Sequence, residues 1–317
     1  MTLIQPSFST TAPQTPLSGI DREHDTATHA ASRRWRLAYW LSGALAVLAL
    51  IASAIGVFFP QLFRDAAVTA GNARGTDLVI LAVAIPALLI SMALAARGSL
   101  RAQVVWLGAL GYILYNAVFF AFAVVFNPLF LVYVGVLSLA LWALVALLLA
   151  VDVARLRAGF SRGLPVRAIA LYLIVTTLLF ALTWLRDIVP ALFSGATPVS
   201  LQGTKMLTNP IQVVDLAVGF PLTILAAVWL WQRRAWGYAL AGLFLVYGVI
   251  EAASVATDQF FGHLSDPSQS LAMSPVFAAL TIIALIPLML IPLIAYLRNL
   301  RNLRHLPQEP GKADAGE

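Results

Sequence analysis

Eight apolar runs follow one another along this chain, at 37–59, 78–96, 102–126, 128–151, 168–185, 211–231, 235–257 and 275–297. A helix of roughly 20 apolar residues is what crosses a hydrocarbon core of about 30 Å. Only Asn127 separates the third run from the fourth, so two helices must turn tightly there. A single helix of about 50 residues would overshoot any bilayer. Hydrophobic residues make up 61% of the chain and charged residues 11%, where soluble domains are about a quarter charged. The expected fold is therefore all-α and transmembrane, an eight-helix bundle with lipid as its main solvent.

Helix starts carry their own signal. Asn127-Pro128, Asn209-Pro210 and Ser274-Pro275 each place a capping side chain before a proline that has no amide to leave unpaired. Thr76 is positioned to cap the second helix. Orientation follows from the loops. Arg33, Arg34, Arg36, Arg97, Arg101, Arg155, Arg157, Arg162, Arg167, Arg233, Arg234, Arg298, Arg301 and Arg304 fall on one side. The other side holds Arg64, Arg74, Arg186 and Lys205, diluted by acids. The positive-inside rule puts both termini in the cytoplasm of a bacterial plasma membrane. The net charge of +6 thus reflects membrane anchoring, and no nucleic-acid partner is expected. Trp35, Trp40, Trp106, Trp229, Trp231 and Trp236 are expected near the cytoplasmic interface.

Residues 1–32 are rich in Ser, Thr, Pro and Ala and read as a disordered cytoplasmic tail. Ser32-Arg33-Arg34 ahead of an apolar stretch has the look of a twin-arginine signal, but seven further spans favour an uncleaved anchor. A first four-helix unit is expected at 33–157, a cytoplasmic linker at 158–166, a second unit at 167–304 and a short tail at 305–317.

The two units read as copies. Phe59-Pro60-Gln61-Leu62-Phe63 matches Val189-Pro190-Ala191-Leu192-Phe193, and Asp77 matches Asp215. Pro86 matches Pro221, Arg97 matches Arg233 and Tyr115 matches Tyr247. Asn127-Pro128-Leu129-Phe130 matches Ser274-Pro275-Val276-Phe277. Four crossings per copy keep both in one orientation, so the repeats are expected to be parallel. Pro86 and Pro221, inside their helices, are expected to kink them.

Ionisable residues inside a span are the residues most expensive to keep. Glu251 in the seventh span and Asp215 in the sixth are expected at one depth, with Arg186, Lys205 and Arg64 as candidate counter-charges. Asp77 is expected at the amino end of its helix, where the dipole favours an acid. Arg186-Asp187 and Arg64-Asp65 flank the outer prolines and are expected as interfacial anchors. Tyr112, Tyr115, Phe119, Phe122 and Phe126 recur at steps of three and four beside Asn116, forming one aromatic face. Glu251, Asp215, Asp77, Asn116, Tyr115 and Tyr247 compose the candidate site, the acids for a cation or proton and the aromatics for an organic solute.

Enzyme signals are weak. Gly159-Phe160-Ser161-Arg162-Gly163 has the nucleophile-elbow spacing but lies in an Arg-rich loop with no preceding strand. No cysteine occurs and no histidine falls within a span, so no metal site or cofactor is expected. The function that fits is binding or transport of a small solute. A membrane-embedded enzyme acting on a lipid-like substrate and a non-catalytic assembly or sensory subunit are the alternatives.

The stretch with Trp106-Leu107-Gly108-Ala109-Leu110-Gly111-Tyr112, Tyr115-Asn116 and Asn127-Pro128-Leu129-Phe130-Leu131-Val132-Tyr133 resembles an uncharacterised group of bacterial polytopic membrane proteins. The resemblance implies a bacterial multi-pass protein and carries over no activity and no functional residue.

Overall fold

Where lipid replaces water, a backbone must satisfy its own hydrogen bonds, and a helix does so within one segment. The computed structural model describes residues 19–268 and 281–301, and no β-strand is found among them. Seven helical stretches there are long and apolar enough to cross a membrane. The first is α1 (Gly19–Phe58). The second is α2 (Ala67–Val79), which passes through a π turn at Ile80–Ala84 into α3 (Ile85–Ala96). Then come α4 (Leu100–Phe122), α5 (Phe130–Ala150), a short α6 (Val153–Ala158) and α7 (Val166–Ser194). The sixth stretch is α8 (Pro210–Val214), a π turn at Asp215–Gly219 and α9 (Phe220–Trp231). The seventh is α10 (Ala235–Ser265). The expected eighth span appears as a π turn at Thr281–Leu285 and α11 (Ile286–Asn299). Its beginning, with Ser274-Pro275, lies outside the described residues.

Three helix starts differ from those the sequence pattern predicts. The helix of α1 begins at Gly19, inside the expected disordered tail, because hydropathy marks only the part of a helix that meets lipid. α2 begins at Ala67 rather than 78, so Thr76 sits buried in mid-helix and caps nothing. Asn127 accepts the amide of Leu129 at 2.9 Å, an Asx turn that precedes the start of α5 at Phe130. Asn209 does cap as expected, accepting the amides of Ile211 at 3.0 Å and Gln212 at 3.4 Å.

The early part of α2 escapes a hydropathy reading because its sequence, Ala-Val-Thr-Ala-Gly-Asn-Ala-Arg-Gly-Thr-Asp, is small and polar. Its task is packing. Gly71 and Gly75, four residues apart, face the backbone of α10 at Phe261, Gly262, Thr257 and Asp258 with no room for a Cβ. Small residues at this spacing let two helices in a bilayer approach until their backbones touch. α10 packs most extensively on α2, then on α4, α9 and α11. It belongs to the second half of the chain and is clamped in the first.

Prolines explain the π turns. Pro86, Pro221 and Pro287 are each the second residue of the α-segment that follows one. A proline has no amide to donate, and its ring pushes away the carbonyl four residues earlier. The turn widens instead: Ile85 donates to the carbonyl of Ile80, and Phe220 to that of Asp215, each five residues back.

The core fills with Ala, Leu and Val between α1, α3, α4 and α5, with Trp106 fully buried at its centre. Trp106 is sealed inside the bundle rather than facing outward. Its indole donates to Ser42 Oγ at 3.0 Å, and its ring lies 4.7 Å from that of Tyr39. Outward, Trp40, Leu131, Leu182 and Phe193 are exposed as lipid-facing residues would be. At one end Asp65 accepts the Val125 amide at 2.9 Å, tying the loop after α1 to the turn after α4. Burial raises the pKa of this carboxyl, although the Val125 amide pulls it down.

Gly75→Ala should lower the melting temperature in detergent by several degrees, since overpacking against backbone costs about 1–3 kcal/mol. Gly43→Ala, where nothing lies near the added methyl, should melt at or above the wild type.

Candidate functional site

α10 carries Tyr247, Glu251, Ser254 and Asp258 at steps of four, three and four, which aligns them along one face. α4 lies against that face. Asn116 Nδ2 donates to Glu251 Oε2 at 3.3 Å and to the Tyr112 carbonyl at 3.2 Å. The Tyr112 hydroxyl donates to Ser254 Oγ at 2.9 Å. The rings of Tyr115 and Tyr247 meet edge to face at 5.4 Å, and the Tyr115 hydroxyl reaches the Asp215 carboxylate.

Asp215 opens the π turn between α8 and α9 and is 8% exposed. Trp184 of α7 donates its indole N–H to Asp215 Oδ2 at 2.8 Å. Four helical stretches thus meet in one polar patch: those of α4, α7, α8–α9 and α10. The carboxylates of Asp215 and Glu251 lie near enough to feel each other's charge. Among the described residues no arginine or lysine forms an ion pair with either. Arg186 is exposed, and Lys205 donates instead to the Arg64 carbonyl at 2.5 Å. The expected counter-charges are therefore not partners.

Of the six predicted residues, Glu251, Asp215, Asn116, Tyr115 and Tyr247 come together. Asp77 does not join them. It sits in mid-helix rather than at a helix start, 1% exposed, in a separate cavity among α1, α2, α4 and α5. The aromatic face of α4 also divides. Tyr112 is buried, Tyr115 and Phe119 are half-buried, and Phe122 and Phe126 are each 70% exposed. α4 ends at Phe122, so Phe126 lies in the turn and out of phase.

Sequence reasoning misses Trp184, Ser254 and Asp258. Trp184 is absorbed into an apolar run, where an indole N–H passes as hydrophobic. The two α10 residues carry a usable signal, being in helical phase with Glu251. Asp187 does more than anchor an interface, since it accepts the amides of Val199 at 2.8 Å and Ser200 at 3.3 Å and the Gln212 amide group at 3.3 Å. Ser161, of the nucleophile-elbow pattern, bonds to Asn299 next to a backbone bridge between Phe160 and Leu300. It joins the loop to the end of α11. Among the described residues no group of three or more His, Asp or Glu is placed to hold a metal ion.

No known protein family, curated protein or solved structure matches the chain.

Asp215→Leu leaves the Trp184 N–H and the Tyr115 hydroxyl without their acceptor, at about 1–3 kcal/mol for each buried group. Asp215→Asn retains an acceptor oxygen. Chemical denaturation in detergent should place the Asn variant within about 1 kcal/mol of wild type and the Leu variant well below it.

Proposed function

We propose that the chain is an integral protein of the bacterial plasma membrane that binds or transports a small organic cation. Its acceptor site is the patch of Glu251, Asp215, Asn116, Tyr115, Tyr247 and Trp184. Two carboxyl groups without cationic partners can exchange their protons for a cation's charge, and the aromatic rings suit a cation carrying apolar bulk. The eighth crossing, cytoplasmic termini and an outer-half position for the site complete this reading, supported by the arginine distribution.

The observation that carries it is a register. The two π turns, Ile80–Ala84 and Asp215–Gly219, lie 135 residues apart. So do Pro86 and Pro221, the left-handed residues Gly98 (φ 84°) and Arg233 (φ 57°), and the starts of α4 and α10. Leu81-Ala82-Val83 recurs at the same offset as Leu216-Ala217-Val218. In this register Asn116 is the counterpart of Glu251, and the two touch. Gly108 packs on Val246 while Gly111 packs on Leu243, and each contact is the other's image at the offset of 135. Reciprocal contacts of this kind are what a two-fold relation would produce. The duplication is read accordingly, with its axis between α4 and α10. It pairs Tyr112, not Tyr115, with Tyr247, and Asp77 with Gln212 rather than Asp215. Parallel repeats of this kind place a substrate site near the repeat interface. The π turns before Pro86 and Pro221 supply the compliance for opening it.

A second reading, a non-catalytic assembly subunit in which these groups only pack helices, draws on one observation. The cavity around Asp77 and the cleft formed by Phe59, Arg64 and Pro128 both lie away from Glu251.

Phenethylammonium, a ring joined to an ammonium, separates the two readings. In nanodiscs it should raise the melting temperature of the wild type by several degrees and leave Glu251→Gln unmoved, with both proteins folded alike by circular dichroism. An unmoved wild type would replace the solute reading with the packing one. Topology has its own check, because the chain contains no cysteine. In intact cells a membrane-impermeant maleimide should label Gly203→Cys and spare Gly163→Cys.

A further inference from the structure

The cavity around Asp77 stands apart from the patch at Glu251 and owes nothing to the solute reading. It is about 20 Å³ in volume and lies among Ala49, Ser53, Asp77, Ile113, Tyr133 and their neighbours on α1, α2, α4 and α5. A cavity of this size has room for one water. Two of its lining residues carry a polar atom without a well-aligned hydrogen bond: Asp77 Oδ2 and the Tyr133 hydroxyl, the latter with the Asn127 side chain beside it. Both residues are sealed in the bundle, at 1% and 3% exposure. Ser53 is the third polar group there, and its hydroxyl bonds to Asp77. The absence of a side chain at Gly56 is what leaves space for Asp77, since a Cβ there would collide with its Oδ2.

An ionised carboxylate at this place would need compensation, because an uncompensated charge within a helical bundle is far costlier than a neutral carboxyl. The surroundings offer little. The ionisable groups close enough to feel its charge are Tyr133 on α5 and Tyr112 on α4, and the acids Glu251, Asp258 and Asp65 lie beyond them. None is cationic. Arg74, one turn earlier on α2, directs its guanidinium to the Val57 carbonyl and over the Phe261 ring. A bound metal ion would find one carboxylate, two hydroxyls and otherwise hydrocarbon, too few oxygens for a hard cation. A proton needs no such shell.

We propose that Asp77 is a proton-binding site inside the bundle, its neutral carboxyl joined to the Tyr133 hydroxyl through a single water held in the cavity. The water finds three polar neighbours in Asp77, Tyr133 and Ser53, the usual number for a buried water. Both orphaned atoms are then satisfied, and the interior of the first four helices carries no net charge. Release of the proton would leave a carboxylate with only Ser53 and the water as donors. Deprotonation is thus coupled to loosening of the α1–α2–α5 contacts.

Infrared spectroscopy of the full chain in nanodiscs tests this. The wild type minus Asp77→Asn difference spectrum should show a carboxylic C=O stretch that shifts on transfer to D₂O. Asp77→Asn, whose amide imitates the neutral acid, should fold and melt close to wild type. Tyr133→Phe is expected to keep the band and displace it, because one hydrogen-bond partner of the water is gone. A carboxylate band in the difference spectrum would overturn the proposal, as would a Tyr133→Phe band identical to wild type. Stabilisation of wild type but not Asp77→Asn by sodium ion would also overturn it, in favour of a cation site.

Discussion

α10 is pressed against α2 until their backbones touch at Gly71 and Gly75, and the polar interior depends on that contact. Lipid gives no hydrophobic force to drive one apolar helix onto another, so close packing and hydrogen bonds must hold the pair. With α10 fixed on α2, its stripe of Tyr247, Glu251, Ser254 and Asp258 is set against α4, where Tyr112 and Asn116 answer it. A displacement of one turn along this interface would separate Asn116 from Glu251 and Tyr112 from Ser254 together. The glycines have no polar contact of their own, yet they decide which polar contacts exist.

The π turns act at the next level. A straight α-helix from Pro210 to Trp231 would ask Pro221 for an amide it lacks. The wide turn at Asp215–Gly219 absorbs the misfit and rotates the residues before it relative to those after it. Asp215 is the first residue of that turn, which sets its carboxylate toward Trp184 on one side and Tyr115 on the other. Wide turns of this kind recur at functional sites because they turn a side chain away from its regular helical position. In the equivalent turn of α2–α3 the residue at the corresponding place is Ile80, which is apolar and buried. Equal backbone geometry therefore carries unequal chemistry in the two halves.

What hydropathy reads well is the part of a helix that faces lipid, and the seven long stretches are legible for that reason. It reads poorly where a helix is solvated by another helix. The segment from Ala67 to Asp77 averages out as polar, although most of its residues are buried on α10. That averaging moves Asp77 from the middle of a helix to its end and gives it a dipole partner it does not have. The acids of the patch are legible because a carboxylate in an apolar run is rare. Their partners are not, since Trp184 counts as apolar and Ser254 as small. The proposed match between halves has only loose landmarks in the letters, because apolar helices offer few distinctive ones. Backbone features that sequence scales do not record, the π turns and the left-handed residues, tighten those landmarks into one register.

On the proposed two-fold register Asn116 faces Glu251 near the axis, and that pairing has a physical logic. Two identical groups placed at such an axis meet themselves. A pair of carboxylates there would repel in a medium that screens little, and a pair of amides would leave no charge to bind with. One amide and one carboxylate make a directed hydrogen bond across the axis, with Asn116 as donor and Glu251 as acceptor. One Glu251 oxygen is thereby held, and the other is free of that constraint. On the proposed register this unequal pair brings an ionisable group to the seam between the two halves. It does so without the repulsion that a symmetric substitution would bring.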